Sequence, residues 1–145
     1  MKNYVKISNI IKKFNKVITV QGDKSISIRW ALMASQAVGK SRAKNLLKSE
    51  DVESTLNALK KIGVKVFKNQ KYCEIIGKGL NSYNFKNNTT IDAGNSGTLA
   101  RLILGLLSGY SRSVKIKGDK SLSRRDFSRI IKPLNIFGVK IKSKN

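Results

Sequence analysis

The sequence repeats itself: slid by roughly seventy residues, one stretch falls on another of the same design, so the chain must fold as two like units. In the first copy an apolar segment that reads as a strand, Val17 to Val20, leads into Gly22-Asp23-Lys24-Ser25. A helix with Ile26, Trp30, Met33, Ala34 and Ala37 on one side follows, as far as Gly39. In the second copy Thr90 to Asp92 leads into Gly94-Asn95-Ser96-Gly97-Thr98 and a helix carrying Leu99, Leu102, Ile103, Leu106 and Leu107 as far as Gly109. Arg29 and Arg101 hold the same place in the early turns of the two helices. Each copy continues with a short strand (Ala43 to Leu46; Val114 to Lys117), a loop, and a second helix whose apolar residues recur at three and four. That stripe is Val52, Leu56, Leu59 and Ile62 in one copy and Phe127, Ile130, Ile131, Leu134 and Phe137 in the other. Gly63 and Gly138 stand where a left-handed residue ends a helix. The strands expected after them are spelled nearly alike, Gly63-Val64-Lys65-Val66 and Gly138-Val139-Lys140-Ile141. A further strand, Tyr72 to Ile76 after the Asn69-Gln70 turn, belongs to the first copy alone. Pro133 inside the last helix predicts a kink or a late start. Amphipathic helices of this kind need a sheet to cover, so the expectation is an α/β domain.

With 145 residues, 40% of them hydrophobic, the chain can bury one ordinary core. Its longest apolar run, Leu102 to Leu107, is far short of the roughly 20 residues that cross a bilayer. Residues 1–16 alternate lysines with isolated apolar residues and lack the continuous apolar region of a secretory signal, so the cytoplasm is the expected location. There is no histidine and one cysteine, Cys73, which excludes a Cys/His metal centre and a histidine base; Cys73 reads as a buried thiol. The net charge of +22 raises a nucleic-acid partner as one class. Its bases are spread without a run of five or six, however, and the few aromatics are not interleaved with them as a base-stacking platform requires. A general attraction for small anions is the stronger expectation.

Where those anions would go is written in the loops. Strand-to-helix loops rich in Gly, Ser, Asn and Thr turn backbone N–H groups toward a helix N-terminus, where phosphate or carboxylate is favoured, although the same spelling also serves as ordinary capping. Lys24 lies inside the first loop and Arg29 one turn beyond it, a point charge and a planar fork at one helix end. A third loop, Gly118-Asp119-Lys120-Ser121-Leu122-Ser123-Arg124-Arg125, repeats the Gly-Asp-Lys-Ser spelling before the last helix. Three such helix starts, all following strands, would gather at one edge of a sheet. Lys24, Arg29 and Arg125 are then expected to face a common space.

Four pieces in this order and spacing, Gly22-Asp23-Lys24-Ser25-Ile26-Ser27-x-Arg29, Asn45-Leu46-Leu47 with Ser49-Glu50-Asp51-Val52, Gly94-Asn95-Ser96-Gly97-Thr98 with Arg101, and Gly118-Asp119-x-Ser121-Leu122-Ser123-x-Arg125, resemble the signature of EPSP synthases from about Val17 onward. Two positions depart from it: Ile28 stands where His or Asn is usual, and Asp126 where a proline normally follows the arginine. The sister family, UDP-N-acetylglucosamine enolpyruvyl transferase, carries Asn after the first-loop lysine and usually a reactive Cys in the third loop, where this chain has Ser25 and Lys120.

The resemblance implies an α/β fold of repeated βαβαββ units, the inside-out α/β barrel of enolpyruvyl transferases, cut off partway through the second unit. It implies that residues 1–20 form a strand and crossover belonging to a second domain beyond this length, and that residues 21–145 form the first and incomplete second unit. The implied reaction adds the 5-hydroxyl of shikimate 3-phosphate to C2 of phosphoenolpyruvate and expels phosphate, in aromatic amino acid biosynthesis. Lys24 and Arg125 are the implied catalytic residues. Lys24, Ser25 and Arg29 would hold shikimate 3-phosphate; Lys24, Gly97 and Arg125 would hold phosphoenolpyruvate; Asn95 and Thr98 would shape their loop, and Arg124 carries no expected role. Neither metal nor organic cofactor is implied, and the full-length enzyme is expected to be a monomer. A stand-alone anion-binding module and a basic nucleic-acid-binding domain are the rival readings.

Overall fold

The computed structural model describes residues 5, 6, 8, 12, 13 and 15–143. Helix α1 (Lys24–Gln36) runs almost directly into β1 (Val38–Ala43), and α2 (Glu50–Lys61), β2 (Lys65–Lys68) and β3 (Cys73–Lys78) complete the first copy. The second comprises β4 (Thr89–Asp92), α3 (Gly97–Leu107), β5 (Val114–Lys117), a 3-10 turn (Leu122–Arg124) and α4 (Ser128–Ile136). Strand β3 lies between β1 and β2 in an antiparallel sheet, with Ser41 and Val66 both opposite Ile75. The β2–β3 hairpin turns where expected, because Asn69 Oδ1 accepts the N–H groups of Lys71 and Tyr72 at 2.8 and 2.9 Å. β4 and β5 pair in parallel with Ile91 opposite Ile116. A parallel pair needs a crossover, and α3 supplies it.

The starts of α1, α2 and α3 are capped by an Asp or Ser of the preceding loop, residue types suited to that place, whereas α4 follows Phe127 without a side-chain cap. Asp23 Oδ1 accepts from the Ile26 N–H at 2.7 Å, Ser49 Oγ from Val52 at 3.4 Å and Ser96 Oγ from Leu99 at 3.3 Å. The repeat is plainest at two helix ends. Gly63 and Gly138 both have φ +88°, and the next residues bond back alike, Val64 N–H to Leu59 O and Val139 N–H to Leu134 O, each at 3.0 Å. One core joins both copies. Ile28 and Leu32 of α1, Val52, Leu56 and Leu59 of α2, Ile75 of β3, Ile91 of β4, and Leu99 and Ile103 of α3 are all buried in it. Each contributes about 1.5–3 kcal/mol by leaving water. Cys73 is buried there too, and its burial pushes the thiol pKa up.

Several expected elements are displaced. Helix α1 buries Ser27, Ile28, Ala31, Leu32, Ala34 and Ser35; of the expected stripe Ala34 is buried and Trp30 packs against the core, but Ile26 and Met33 are 69% and 74% exposed. Close approach decides the face. A Cβ on Gly77 of β3 would overlap the backbone oxygens of Ala34 and Ala37, so only the small-residue side of α1 fits against the sheet. Both buried serines there are satisfied: Ser27 Oγ donates to Asp23 O at 2.6 Å and accepts from Leu47 N–H at 3.1 Å, and Ser35 Oγ meets Tyr83 OH at 2.6 Å.

The first strand after α1 is Val38–Ala43 rather than Ala43 to Leu46, because Asn45 at φ +56° ends the extended run. Val17 to Val20 forms no strand; its tie to the domain is the Asn45 Nδ2 bond to Val20 O at 3.0 Å. Gly138 to Ile141 likewise forms none, since no strand among the described residues lies beside it to complete a ladder. In α4 the expected stripe is half-buried through Leu134, but Phe137 is 83% exposed. The helix begins at Ser128 and keeps Pro133 in its interior. Residues 1–4, 7, 9–11 and 14 of the N-terminal strand expected over 1–20 lie outside the described residues.

Candidate active site

The second and third loops leave the C-terminal ends of the parallel strands β4 and β5, so the pairing that joins those strands also joins the loops. Ala93 N–H donates to Lys117 O and Asp119 N–H to Gly94 O, both at 2.8 Å. Asn95 is the knot between them: its Nδ2 donates to Asp119 Oδ2 at 2.7 Å, and its Oδ1 accepts from Arg125 Nη2. Asp119 also takes the Leu122 N–H at 2.7 Å, which seats the turn over its buried Leu122 side chain. Asp119 is held below the usual carboxylate range, first by that Leu122 bond, which desolvation opposes, and further by Asn95, the Ser121 N–H and Arg125.

Gly97, buried as the first residue of α3, is where the charges meet. A Cβ added to it would stand 2.9 Å from Arg125 Nη1 and 3.1 Å from Arg101 Nη1, so two guanidiniums bound one small volume at a helix N-terminus. Arg101 comes from α3 itself, and its Nη2 donates to Asp126 O at 2.9 Å. Neighbouring backbone N–H groups and the helix dipole add to the positive potential there. Thr98, half-buried, follows Gly97 in the first turn.

The first loop is anchored separately. A Cβ on Gly22 would overlap Asn45 O and lie 2.9 Å from Leu47 N, so the loop rests directly on the Asn45–Leu47 backbone. Lys24 Nζ pairs with Asp51 Oδ2 at 3.2 Å, in the first turn of α2. One turn on, Ser54 Oγ lies 3.0 Å from where a Cβ on Gly94 would stand. Residues three apart are neighbours on a helix surface, so the start of α2 holds the Lys24 loop and the Gly94 loop side by side.

Arg29 leaves α1 on a different side but reaches back to the start of the helix. Five residues after Lys24 it leaves the helix about 140° around the axis. Its Nη1 donates to Ser25 O at 3.2 Å, and its side chain lines a groove of about 500 Å³ between α1 and α3 with Leu32, Met33, Gln36, Leu102 and Leu106. Among the described residues the expected single sheet edge with three helix starts is replaced by two sheets, of which β4–β5 feeds the Gly94 and Gly118 loops, and no strand precedes α1.

Sequence reasoning assigned no role to Asp51, which pairs with Lys24, or to Arg101. The signal for Asp51 was its place in the Ser49-Glu50-Asp51-Val52 piece; for Arg101 it was the repeat of Arg29. Among the described residues no group of three or more Asp, Glu, Cys or His could hold a metal ion, and no helix is long and apolar enough to cross a membrane.

Comparison with known proteins bears on this arrangement. The pattern characteristic of EPSP synthase (3-phosphoshikimate 1-carboxyvinyltransferase) matches residues 8–145. The 3-phosphoshikimate 1-carboxyvinyltransferase of Streptococcus pyogenes serotype M1 is 46% identical over 124 residues, 86% of this chain and 29% of that protein. The protein of the same name from Thermoanaerobacter sp. (strain X514) is 41% identical over 134 residues, 92% of this chain and 31% of that one. In structure the chain resembles EPSP synthase from Acinetobacter baumannii with a TM-score of 0.81 and 34% identity, over 88% of this chain and 29% of the other. It thus spans under a third of the length of these relatives, with the α/β fold of their corresponding part. The paired loops, the arginines over Gly97 and the match across residues 8–145 agree: the chain belongs to the EPSP synthase family.

Proposed function

We propose that this chain supplies the phosphate-binding part of an enolpyruvyl transfer site, in which the 5-hydroxyl of shikimate 3-phosphate adds to C2 of phosphoenolpyruvate and inorganic phosphate leaves. The observation that carries the reading is the convergence of Arg101 and Arg125 over Gly97, beside a loop whose Lys24 is steered by Asp51. Phosphoenolpyruvate would set its phosphate against Arg125 and the Gly97 backbone, where the missing side chain lets it approach. Lys24 would reach both substrates, with Ser25 and Arg29 toward shikimate 3-phosphate and Asn95 and Thr98 shaping the loop. Fixed positive groups of this kind stabilise charge that grows on the phosphate oxygens as the C–O bond breaks, and they act most strongly where water is excluded.

In this reading the chain works in the cytoplasm, as part of a monomeric enzyme, without a cofactor and without a specific nucleic-acid partner. It bears one side of a cleft, so by itself it binds shikimate 3-phosphate weakly if at all and releases no phosphate. The test joins it to the remaining two-thirds of the Streptococcus pyogenes relative and measures phosphate release from the substrate pair. The fusion should turn over, and Lys24→Ala or Arg125→Ala should each lower the rate by roughly two orders of magnitude or more. Sustained turnover by the 145-residue chain alone, abolished by Lys24→Ala, would show that one side suffices and the reading is wrong.

A further inference from the structure

Arg125 is exposed and sits at the trailing end of a three-residue turn, so something must fix where its guanidinium stands. Its bond to Asn95 is made at the far end of a flexible side chain. Backbone control comes instead from α3. Arg101 Nη2 donates to the carbonyl of Asp126, the residue directly after Arg125, at 2.9 Å. The same guanidinium lies over the Phe127 ring, 5.0 Å from its centroid, while its Nη1 faces the space above Gly97. One planar group thus makes a carbonyl bond, a ring contact and an approach to the site, which the point charge of a lysine could not combine. On the far side Asp126 is fastened in turn: its carboxylate accepts from Ser128 N–H and Oγ, both at 2.7 Å, and so ties the segment to the start of α4.

We propose that Arg101 is the positioning residue of this site: by gripping Asp126 and Phe127 it sets the place of the Arg125 guanidinium, and the two then close on the same anion. Only the second half of that statement rests on the function proposed above. The grip itself does not.

The test uses the isotope-labelled 145-residue chain and its Arg101→Ala and Arg101→Lys variants, with inorganic phosphate titrated against chloride at constant ionic strength. NMR follows the Arg125 Nε–H, the amides of Leu122 to Phe127 and the Gly97 amide; the amides of β1 to β3 report whether the fold is kept. In Arg101→Ala the Arg125 Nε–H should move to the position of a free arginine and the amides of Leu122 to Phe127 should shift. Phosphate affinity read at Gly97 should fall roughly tenfold or more. Arg101→Lys keeps the charge and should restore none of these, and it decides the matter even if the alanine variant does not fold. Unchanged Arg125 and loop resonances in the variants, or full recovery with lysine, would overturn the proposal and reduce Arg101 to a charge. If the unmodified chain gives no saturable phosphate response at Gly97 while the Arg125 resonance still depends on Arg101, the anion reading fails and the positioning role stands.

Discussion

Gly97→Ala and Gly22→Ala separate the site from the scaffold, because the two glycines are crowded by different kinds of neighbour. At Gly97 the added methyl is crowded by the Nη1 atoms of Arg125 and Arg101, 2.9 and 3.1 Å away, with Leu122 Cδ1 in ordinary contact at 3.7 Å; the crowding atoms are the far ends of long side chains, tethered through Nη2. They need to retreat by about half an ångström, while alanine is the better helix former by up to about 1 kcal/mol. Stability should therefore stay within about 1 kcal/mol of the parent, a shift in Tm of no more than about 4 °C. At Gly22 the methyl meets backbone, overlapping Asn45 O and standing 2.9 Å from Leu47 N. Making room there parts the loop from its seat and strains the Ser27–Leu47 and Asn45–Val20 hydrogen bonds. Overpacking costs about 1–3 kcal/mol and each lost bond about 1 kcal/mol, so a loss of about 2–4 kcal/mol is expected. Urea unfolding followed by circular dichroism measures both. In the fusion enzyme Gly97→Ala should nonetheless depress turnover, since it moves the two guanidiniums and fills their space. If Gly97→Ala unfolds the chain as readily as Gly22→Ala, the arginines are not free to give way, and the separation drawn between site and scaffold is wrong.

Gly63→Ala and Gly138→Ala share a φ of +88°, worth about 1–2 kcal/mol to an L-residue, but only at Gly63 would the methyl also press on Asn84 O at 2.6 Å. Denaturant titration should give Gly63→Ala the larger loss by about 1–3 kcal/mol, and equal losses would contradict the packing around Asn84. Asp92 is held below its usual range by the Lys117 side chain and then the Gly94 N–H, Asp126 by Ser128, and Asp119 as described. Lowered carboxylates lend stability that is full above the ordinary aspartate value near 4 and is lost as pH falls through their lowered values. Melting temperature should accordingly hold from pH 7 to about 5 and drop below about 4; a chain more stable at pH 3 than at pH 6 would refute the sign. Binding to duplex DNA should be weak, indifferent to sequence and steeply lost with salt, as fluorescence anisotropy would report. Tight binding to one sequence at physiological salt would restore the nucleic-acid reading.

Local signals in the sequence were sound where the structure is decided locally. The caps at Asp23, Ser49 and Ser96, the left-handed Gly63 and Gly138, the α2 stripe and strand β5 all follow from residues within a few positions of one another. What eluded it depends on distant partners. Helix α1 is apolar nearly all round, and the face it buries is chosen by Gly77, forty-odd residues away, where a side chain would collide with its last turn. The strand expected at Val17 to Val20 has suitable residues but no neighbour among those described to pair with. In the site the residue types were readable and their companions were not: Asp51 for Lys24, and Asn95 for Arg125, are joined only by folding.

The outward row of α1 and α3 has a practical bearing on the chain in solution. Ile26 and Met33 are mostly exposed, and Leu102 and Leu106 border the groove beside them, on a molecule carrying +22 charges. In dilute buffer, where the Debye length is about 30 Å, mutual repulsion keeps two such molecules from touching along that row. At 0.15 M salt the field reaches only about 8 Å, and apolar surface can meet apolar surface before the charges intervene. Salt, the usual means of keeping a basic protein from sticking to polyanions, should therefore promote its clouding, and light scattering should rise with ionic strength while the fold itself stays intact.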